Sequence, residues 1–542
     1  MIRKIFVIAI SVLFFSCHSQ KQADLIVHNA VVYTVDDKFS VAEAFAVKDG
    51  KIIETGNSEE ILKKYTGSVL DAEGKAVYPG FIDGHSHFYG YGQGLQQVDL
   101  VGTKSWEEIL EKLQEFSQEN PKGWIIGRGW DQNDWADREF PDNVKLNELF
   151  PNRPLILARI DGHAAIANKA ALELAGLKPG QKISGGEVET INGKLSGILV
   201  DNAQGAVYAK IPDQTAAQIR ESLMDAQKNC FAAGLTSVTD CGISHNLIPV
   251  ITELQQNKQL KMRIYAMLSD NPENYDFLFK NGAIKSDRLN VRSFKVYMDG
   301  ALGSRGACLL KPYSDKPGYS GFLLSDKKHF AEVAQKIADA GFQMNTHAIG
   351  DSANREILNV YAKVLRGKND FRWRIEHAQV VNQADFKLFA ENNIIPSVQS
   401  THATSDMYWA ADRLGAGRVK GAYAFKQLLD QNGWLVLGTD FPVENINPMY
   451  TFYAAVVRKD MKGYPAGGYQ MENAISREEA LRGMTIWAAK GQFEEKEKGS
   501  IEAGKFADFV ILDQDIMKAD AEQLFNAQVL KTYINGENVY SK

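Results

Sequence analysis

The strongest constraint on this chain is an alternation. From Leu235 to Leu437, short apolar β-prone runs recur: Leu235 to Thr239, Arg263 to Leu268, Ser293 to Met298, Gln343 to Thr346, Trp373 to Ile375, Ile394 to Val398 and Leu435 to Leu437. Helical stretches such as Phe330 to Ala340 and Ala384 to Asn392 separate most of them. A helix between two strands carries the chain back to the same end of the sheet, so the strands lie parallel. Eight such units close a barrel with its helices outside. The expected fold is therefore α/β, a (β/α)8 TIM-type barrel. A chain of 542 residues has room for that barrel and for additions.

Two additions are legible. Leu25 to Val27, Val31 to Val35 and a hairpin over Ala44 to Ile53 with an Asp49-Gly50 turn make the N-terminal region strand-rich. Ala507 to Leu512 and Lys531 to Gly536 have the same texture at the other end. Neither end is large enough for its own core, so the two should form one small β-sandwich from residues 23–78 and 495–542. The barrel then occupies 79–102 and 216–494, and the weakly patterned stretch 103–215 is an inserted domain that covers the active site.

The first 22 residues read as an address and linker. Arg3 and Lys4 precede an apolar run from Ile5 to Phe15, too short to span a bilayer and ending in Phe14-Phe15-Ser16-Cys17. This resembles a bacterial lipobox, with Cys17 as the lipidated residue; a plain signal peptide is the alternative. The expectation is an exported, membrane-anchored lipoprotein, periplasmic or at the cell surface. The remaining cysteines, Cys230, Cys241 and Cys308, are odd in number and read as mostly buried thiols. With a net charge of −6, nucleic acid is not an expected partner. The expected partners are a small-molecule substrate and a membrane, with a homo-oligomer left open.

The chemistry starts at Pro79-Gly80-Phe81-Ile82-Asp83-Gly84-His85-Ser86-His87. Residues i and i+2 of a strand share a face, so His85 and His87 can grip one metal ion. Lys295 lies in an apolar strand, and His347, His377 and Asp440 each end or follow one. Active sites of βα barrels gather at that C-terminal end. His347 and His377 are 30 positions apart, close to the roughly 31 of one βα unit, and His377 to Asp440 is 63, about two units. His87 to Lys295 is 208 positions, far more than three units need, which is the surplus assigned to the insertion.

Together these motifs resemble the amidohydrolase superfamily, in particular the YtcJ-like branch that includes N-substituted formamide deformylases. Gly-Phe-Ile-Asp, Lys-x-x-x-Asp-Gly and Glu-His-Ala around the named residues belong to the likeness, which runs from Ala23 to the end. The resemblance implies metal ligation by His85, His87, carboxylated Lys295, His347, His377 and Asp440. It implies two divalent ions, zinc by preference, with carbon dioxide incorporated as the Lys295 carbamate. Burial should lower the Lys295 pKa and leave an amine able to take up carbon dioxide. A structural lysine paired with a carboxylate, over a one-metal site, is the alternative.

The implied function is metal-dependent hydrolysis of a non-peptide carbon–nitrogen bond in an amide, formamide or cyclic amide. A metal-activated hydroxide would attack, with Asp440 as catalytic proton shuttle. Lactone or ester hydrolysis, deamination, or ligand binding without turnover are the other readings. His163, Trp130 and His402 are the candidate substrate contacts, with Asp131 and Trp135 beside them. The bland alternatives are a hydrogen-bonded structural histidine for His163 and a core aromatic for Trp130. Neither a Gly-x-Ser-x-Gly elbow nor a Walker phosphate loop occurs, so serine hydrolysis and nucleotide-driven chemistry have no support.

Overall fold

The computed structural model describes residues 20–542. Its centre is a parallel barrel of eight strands: β1 (Phe81–Ser86), β2 (Leu235–Ile243), β3 (Arg263–Ser269), β4 (Leu289–Tyr297), β5 (Gln343–Ala348), β6 (Arg374–His377), β7 (Ile395–Val398) and β8 (Val436–Leu437). They neighbour one another in sequence order. The expected α/β barrel is thus present.

Closure joins β1 to β8 through side chains and loop backbone. Asp83 is buried and takes Thr439 Oγ1 at 2.6 Å and the Thr439 amide at 3.1 Å. The Asp440 amide donates to His85 O at 2.8 Å, and the His87 amide to Phe441 O at 2.9 Å. Gly84 makes the approach possible, because a Cβ there would fall 2.1 Å from Val436 Cγ1. Burial pushes the Asp83 carboxyl up to about 6, against the hydrogen bonds it accepts from Thr439 and the His85 amide. The strand ends that carry His85, His87 and Asp440 are therefore tied directly to one another.

Some element bounds differ from their sequence reading for identifiable reasons. β4 starts at Leu289 rather than Ser293 because Asn290 and Arg292 break the apolar run. Asn290 is nonetheless buried and donates its side-chain amide to Gln492 O, and the Arg292 guanidinium covers the Phe493 ring. The helix read from Ala384 is shorter, Lys387–Glu391.

The terminal segments form two sheets. One has Lys51–Gly56, Ala44–Lys48, Lys21–His28 and Tyr65–Asp71 in that order. The other runs Glu537–Ser541, Val529–Ile534, Phe509–Leu512, Ala76–Pro79, Val31–Tyr33 and Val41–Ala42, mixing both ends of the chain. Val27, Phe45, Val47 and Ile52 of the first pack with Val32, Val77, Phe509 and Ile511 of the second. Arg263 at the start of β3 forms a buried bidentate pair with Asp508, joining barrel to terminal sheet.

Between β1 and β2 lies a six-stranded sheet in the order Gly186–Ile191, Lys194–Asp201, Ala164–Ala167, Leu155–Arg159, Ile125–Trp130, Val98–Asp99. Its own core includes Leu113, Ile125, Leu155, Leu157, Ile166 and Ile198. Cys17 and the leader lie outside the described residues. Among the described residues no helix is long and apolar enough to cross a membrane. Cys230 and Cys241 are buried, Cys308 is partly buried, and all three are free thiols.

Candidate metal centre

The C-terminal ends of the barrel strands place ionisable side chains around Asp440. Donor atoms of His85, His377 and Asp440 lie within 4.8 Å of one another, all buried. His87 Nε2 is 3.2 Å and His85 Nε2 3.4 Å from Asp440 Oδ1. Lys295 Nζ is 3.4 Å from His85 Nε2. His347 stands one step aside: its ring centroid is 4.6 Å from that of His377, and its Nε2 is 3.5 Å from Gly300 O. His377 and Asp440 hold φ of +73° and +63°, a strained conformation for non-glycine residues that clusters at functional sites.

Each ring is aimed by a partner behind it. His85 Nδ1 pairs with Glu376, which is wholly buried and held in turn by Arg374, Nε to Oε1 at 2.7 Å. His377 Nδ1 meets Gln399 Oε1 at 2.7 Å. The first bond leaves His85 Nε2 for the cage, the arrangement that orients metal-ligating imidazoles, while His377 Nδ1 also lies 4.0 Å from Asp440 Oδ2. Burial works against ionised Glu376, but Arg374 and His85 outweigh it and hold the carboxyl far below the usual range.

The donor set fits a divalent cation. Asp440 Oδ1 is buried and accepts no hydrogen bond, although two imidazole nitrogens face it. A buried carboxylate oxygen without a partner is costly, and a cation shared by these nitrogens and that oxygen removes the cost. Imidazole and carboxylate suit zinc.

Lys295 corrects one expectation. Burial does oppose its charge, yet Tyr297, Cys241, Glu376 and Asp440 together raise its pKa. These neighbours favour the charged form of the amine over the neutral one. An ammonium and a divalent cation cannot share one cage, so filling the site would reverse that balance.

His402 and His163 flank the cage. His402 bridges Asp440 Oδ2 at 3.3 Å and Glu444 Oε1 at 2.9 Å. Burial opposes its charged form, but the two carboxylates prevail and push it up to about 10. His163 comes from the inserted sheet, with its ring centroid 4.9 Å from His347. Its Nδ1 is 2.6 Å from Asp201 Oδ1. His87, His163, His377, His402 and Asp440 border one cavity of about 1400 Å³, roofed by the insertion and lined also by Arg128, Asp131 and Tyr297.

Residues 68–540 match the amidohydrolase family. The chain belongs to that family. It is 31% identical to putative amidohydrolase YtcJ of Bacillus subtilis, over 95% of this chain and 99% of the relative. N-substituted formamide deformylase of Arthrobacter pascens is 26% identical over 96% of this chain and 98% of its own. The fold is similar to that of an uncharacterized metal-dependent hydrolase from Pyrococcus horikoshii, with a TM-score of 0.75, 29% identity, and coverage of 92% and 99% of the two chains.

One candidate contact of this amidohydrolase is overturned. Trp130 is fully buried in the core of the insertion, and its Nε1 donates to Leu157 O at 2.8 Å. It cannot touch a substrate. Trp135 is also in that core, whereas Asp131 does line the cavity.

Several residues of the site escaped sequence reasoning. Glu376 directly precedes His377 and Asp299 sits four after Lys295, so both were visible as flanking strings. Asp299 accepts from the Ile349, Gly350 and Cys308 amides and pins the loop after β5. Asp201, Gln399 and Glu444 gave no signal, because each meets its histidine only through long-range folding.

Proposed function

We propose that this amidohydrolase cleaves a non-peptide carbon–nitrogen bond of a small amide, formamide or cyclic amide. The observation that carries the reading is Asp440, buried, ionised and unpartnered at Oδ1 amid three imidazoles. Similarity to an N-substituted formamide deformylase along nearly the whole chain supports the bond type. His85, His87, His347, His377, Asp440 and Lys295 as its carbamate would hold two divalent ions, zinc by preference, and these would supply an activated water and polarisation of the scissile carbonyl.

The chain's own groups do the rest. The Asp440 carboxylate accepts the proton of the attacking water and passes it to the leaving amine nitrogen. His402, fixed by Glu444, holds Oδ2 of that carboxylate and keeps it ionised until then. His163 donates from Nε2 to the carbonyl oxygen as negative charge grows there. The insertion above the cavity excludes bulk water.

The test is metal analysis of the purified protein with turnover of five compounds: an N-alkyl formamide, an anilide, a hydantoin, a lactone and an aminopurine. Metal-dependent cleavage of any of the first three supports the reading. A fully loaded protein that turns over only the lactone or the aminopurine overturns the bond assignment.

A further inference from the structure

Arg128 is the group in the cavity that the proposed chemistry leaves unused. It projects from the strand Ile125–Trp130 of the insertion into the space that also borders His87, His163, His347 and Asp440. Its Nη2 donates to Ile160 O at 2.7 Å. Nε is buried without a partner, and among the described residues no carboxylate pairs with this guanidinium. The guanidinium lies against Gly162, where a Cβ would come within 3.3 Å of Nη1. That glycine belongs to the turn that presents His163.

The neighbouring strand shows what a structural arginine looks like here. Arg159 is wholly buried, and it is held by Asp131 and by Asp161 at 2.6 Å, with Gln132 Oε1 on Nε at 2.8 Å. Its charge is matched on every side. Arg128, one strand away, has a carbonyl and no carboxylate within ion-pair distance; Asp161 and Asp440 act on its charge only from farther off. A half-buried cation without an anion is unfavourable unless something else supplies one. A planar guanidinium is the side chain best shaped to bind a carboxylate. The cavity, at about 1400 Å³, also far exceeds what a bare amide would fill.

We infer that Arg128 is a carboxylate-binding site for the substrate, so that the preferred substrates are amides that also carry a free acid group. This rests on the hydrolase reading above and narrows its substrate class. The acid seats on Arg128, and the scissile bond is thereby directed past His163 towards Asp440.

Two matched probes test it on the metal-loaded protein: 3-phenylpropanoate and 3-phenylpropanamide, with affinities measured by calorimetry. Wild type should bind the acid about 10–100-fold more tightly than the amide, the range of a charge-assisted hydrogen-bonded pair. In Arg128→Met that preference should collapse to about threefold or less. Arg128→Lys keeps the charge without the fork and should fall between; it decides the matter if the methionine variant is poorly folded by circular dichroism. An unchanged preference in either folded variant overturns the inference, since the acid would then be held elsewhere, for instance by the metal ligands. So does equal binding of the two probes by wild type. Failure of the hydrolase reading would look different: no turnover of the neutral amide panel, with the binding preference intact.

Discussion

Asp201 holds His163 by a 2.6 Å contact between Oδ1 and Nδ1, and it does so from a strained backbone, with φ at +49°. The two residues are 38 apart in sequence, His163 in the turn before Ala164–Ala167 and Asp201 at the end of Lys194–Asp201. Gly300 and Gly306 leave the room this carboxylate needs, since a Cβ at either would sit within 2.4 Å of Asp201 Oδ2. Such a geometry fixes the orientation of the His163 ring, whose centroid is 4.9 Å from that of His347. His163→Ala should therefore keep metal content and fold, while kcat/KM drops by about 10²–10³, the usual loss for an oxyanion donor. Unchanged kinetics on the best substrate would remove His163 from the reaction.

His85 is held from behind in the same way. Glu376 binds its Nδ1 and is itself clamped by Arg374. Glu376→Gln preserves shape but loses the charge that keeps the ring in place. Metal affinity or activity should fall by about 10–100-fold. Competition with a metallochromic chelator reads the affinity directly, and wild-type binding in the variant would contradict the role.

Metal removal should weaken the fold as well as the activity. The cage brings together buried groups that lack partners, notably Asp440 Oδ1. Ligand binding to the native state alone stabilises it by about 4 kcal/mol at a thousandfold excess over Kd. Dialysis against a chelator should thus lower Tm by several degrees, reversibly on adding zinc. Equal Tm with and without metal would argue that the cage is not a cation site.

The barrel and the ring of ligand types were legible because both follow short-range rules. Strand period and helix spacing mark the βα units, and His85, Lys295, His377 and Asp440 all sit at or just past strand ends. What stayed hidden depends on pairing across the fold. The Asp201–His163, Glu444–His402 and Gln399–His377 contacts join distant segments by ordinary polar residues. Trp130 misled for the opposite reason. An aromatic beside Asp131 looks like a pocket wall, and alternation alone would place Trp130 on the face of Arg128, but the bulge between Arg128 and Trp130, with Gly129 at φ +115°, breaks the pattern and turns the ring into the core while Asp131 lines the cavity.

Barrel and terminal sheet are joined through Asp508. Asp508 is buried and receives both Arg263 Nε at 2.5 Å and Nη2 at 2.9 Å, with the Asn535 amide as a third donor at 2.9 Å. Burial by itself would raise its carboxyl, but Arg263 and these hydrogen bonds bring it below the ordinary value. A group whose folded pKa is depressed contributes stability above its unfolded pKa of about 3.9, and loses it as pH falls through the folded value. At neutral pH, Asp508→Asn leaves the Arg263 guanidinium buried without its anion and should destabilise by about 3–5 kcal/mol. The Tm gap between wild type and variant should be constant from pH 8 down to about 5, then narrow below about pH 4 as the wild-type carboxyl takes up its proton. Thermal scans of both proteins across that range measure it. A gap that widens on acidification, or none at pH 7, would mean that the Arg263–Asp508 pair does not hold the two parts together.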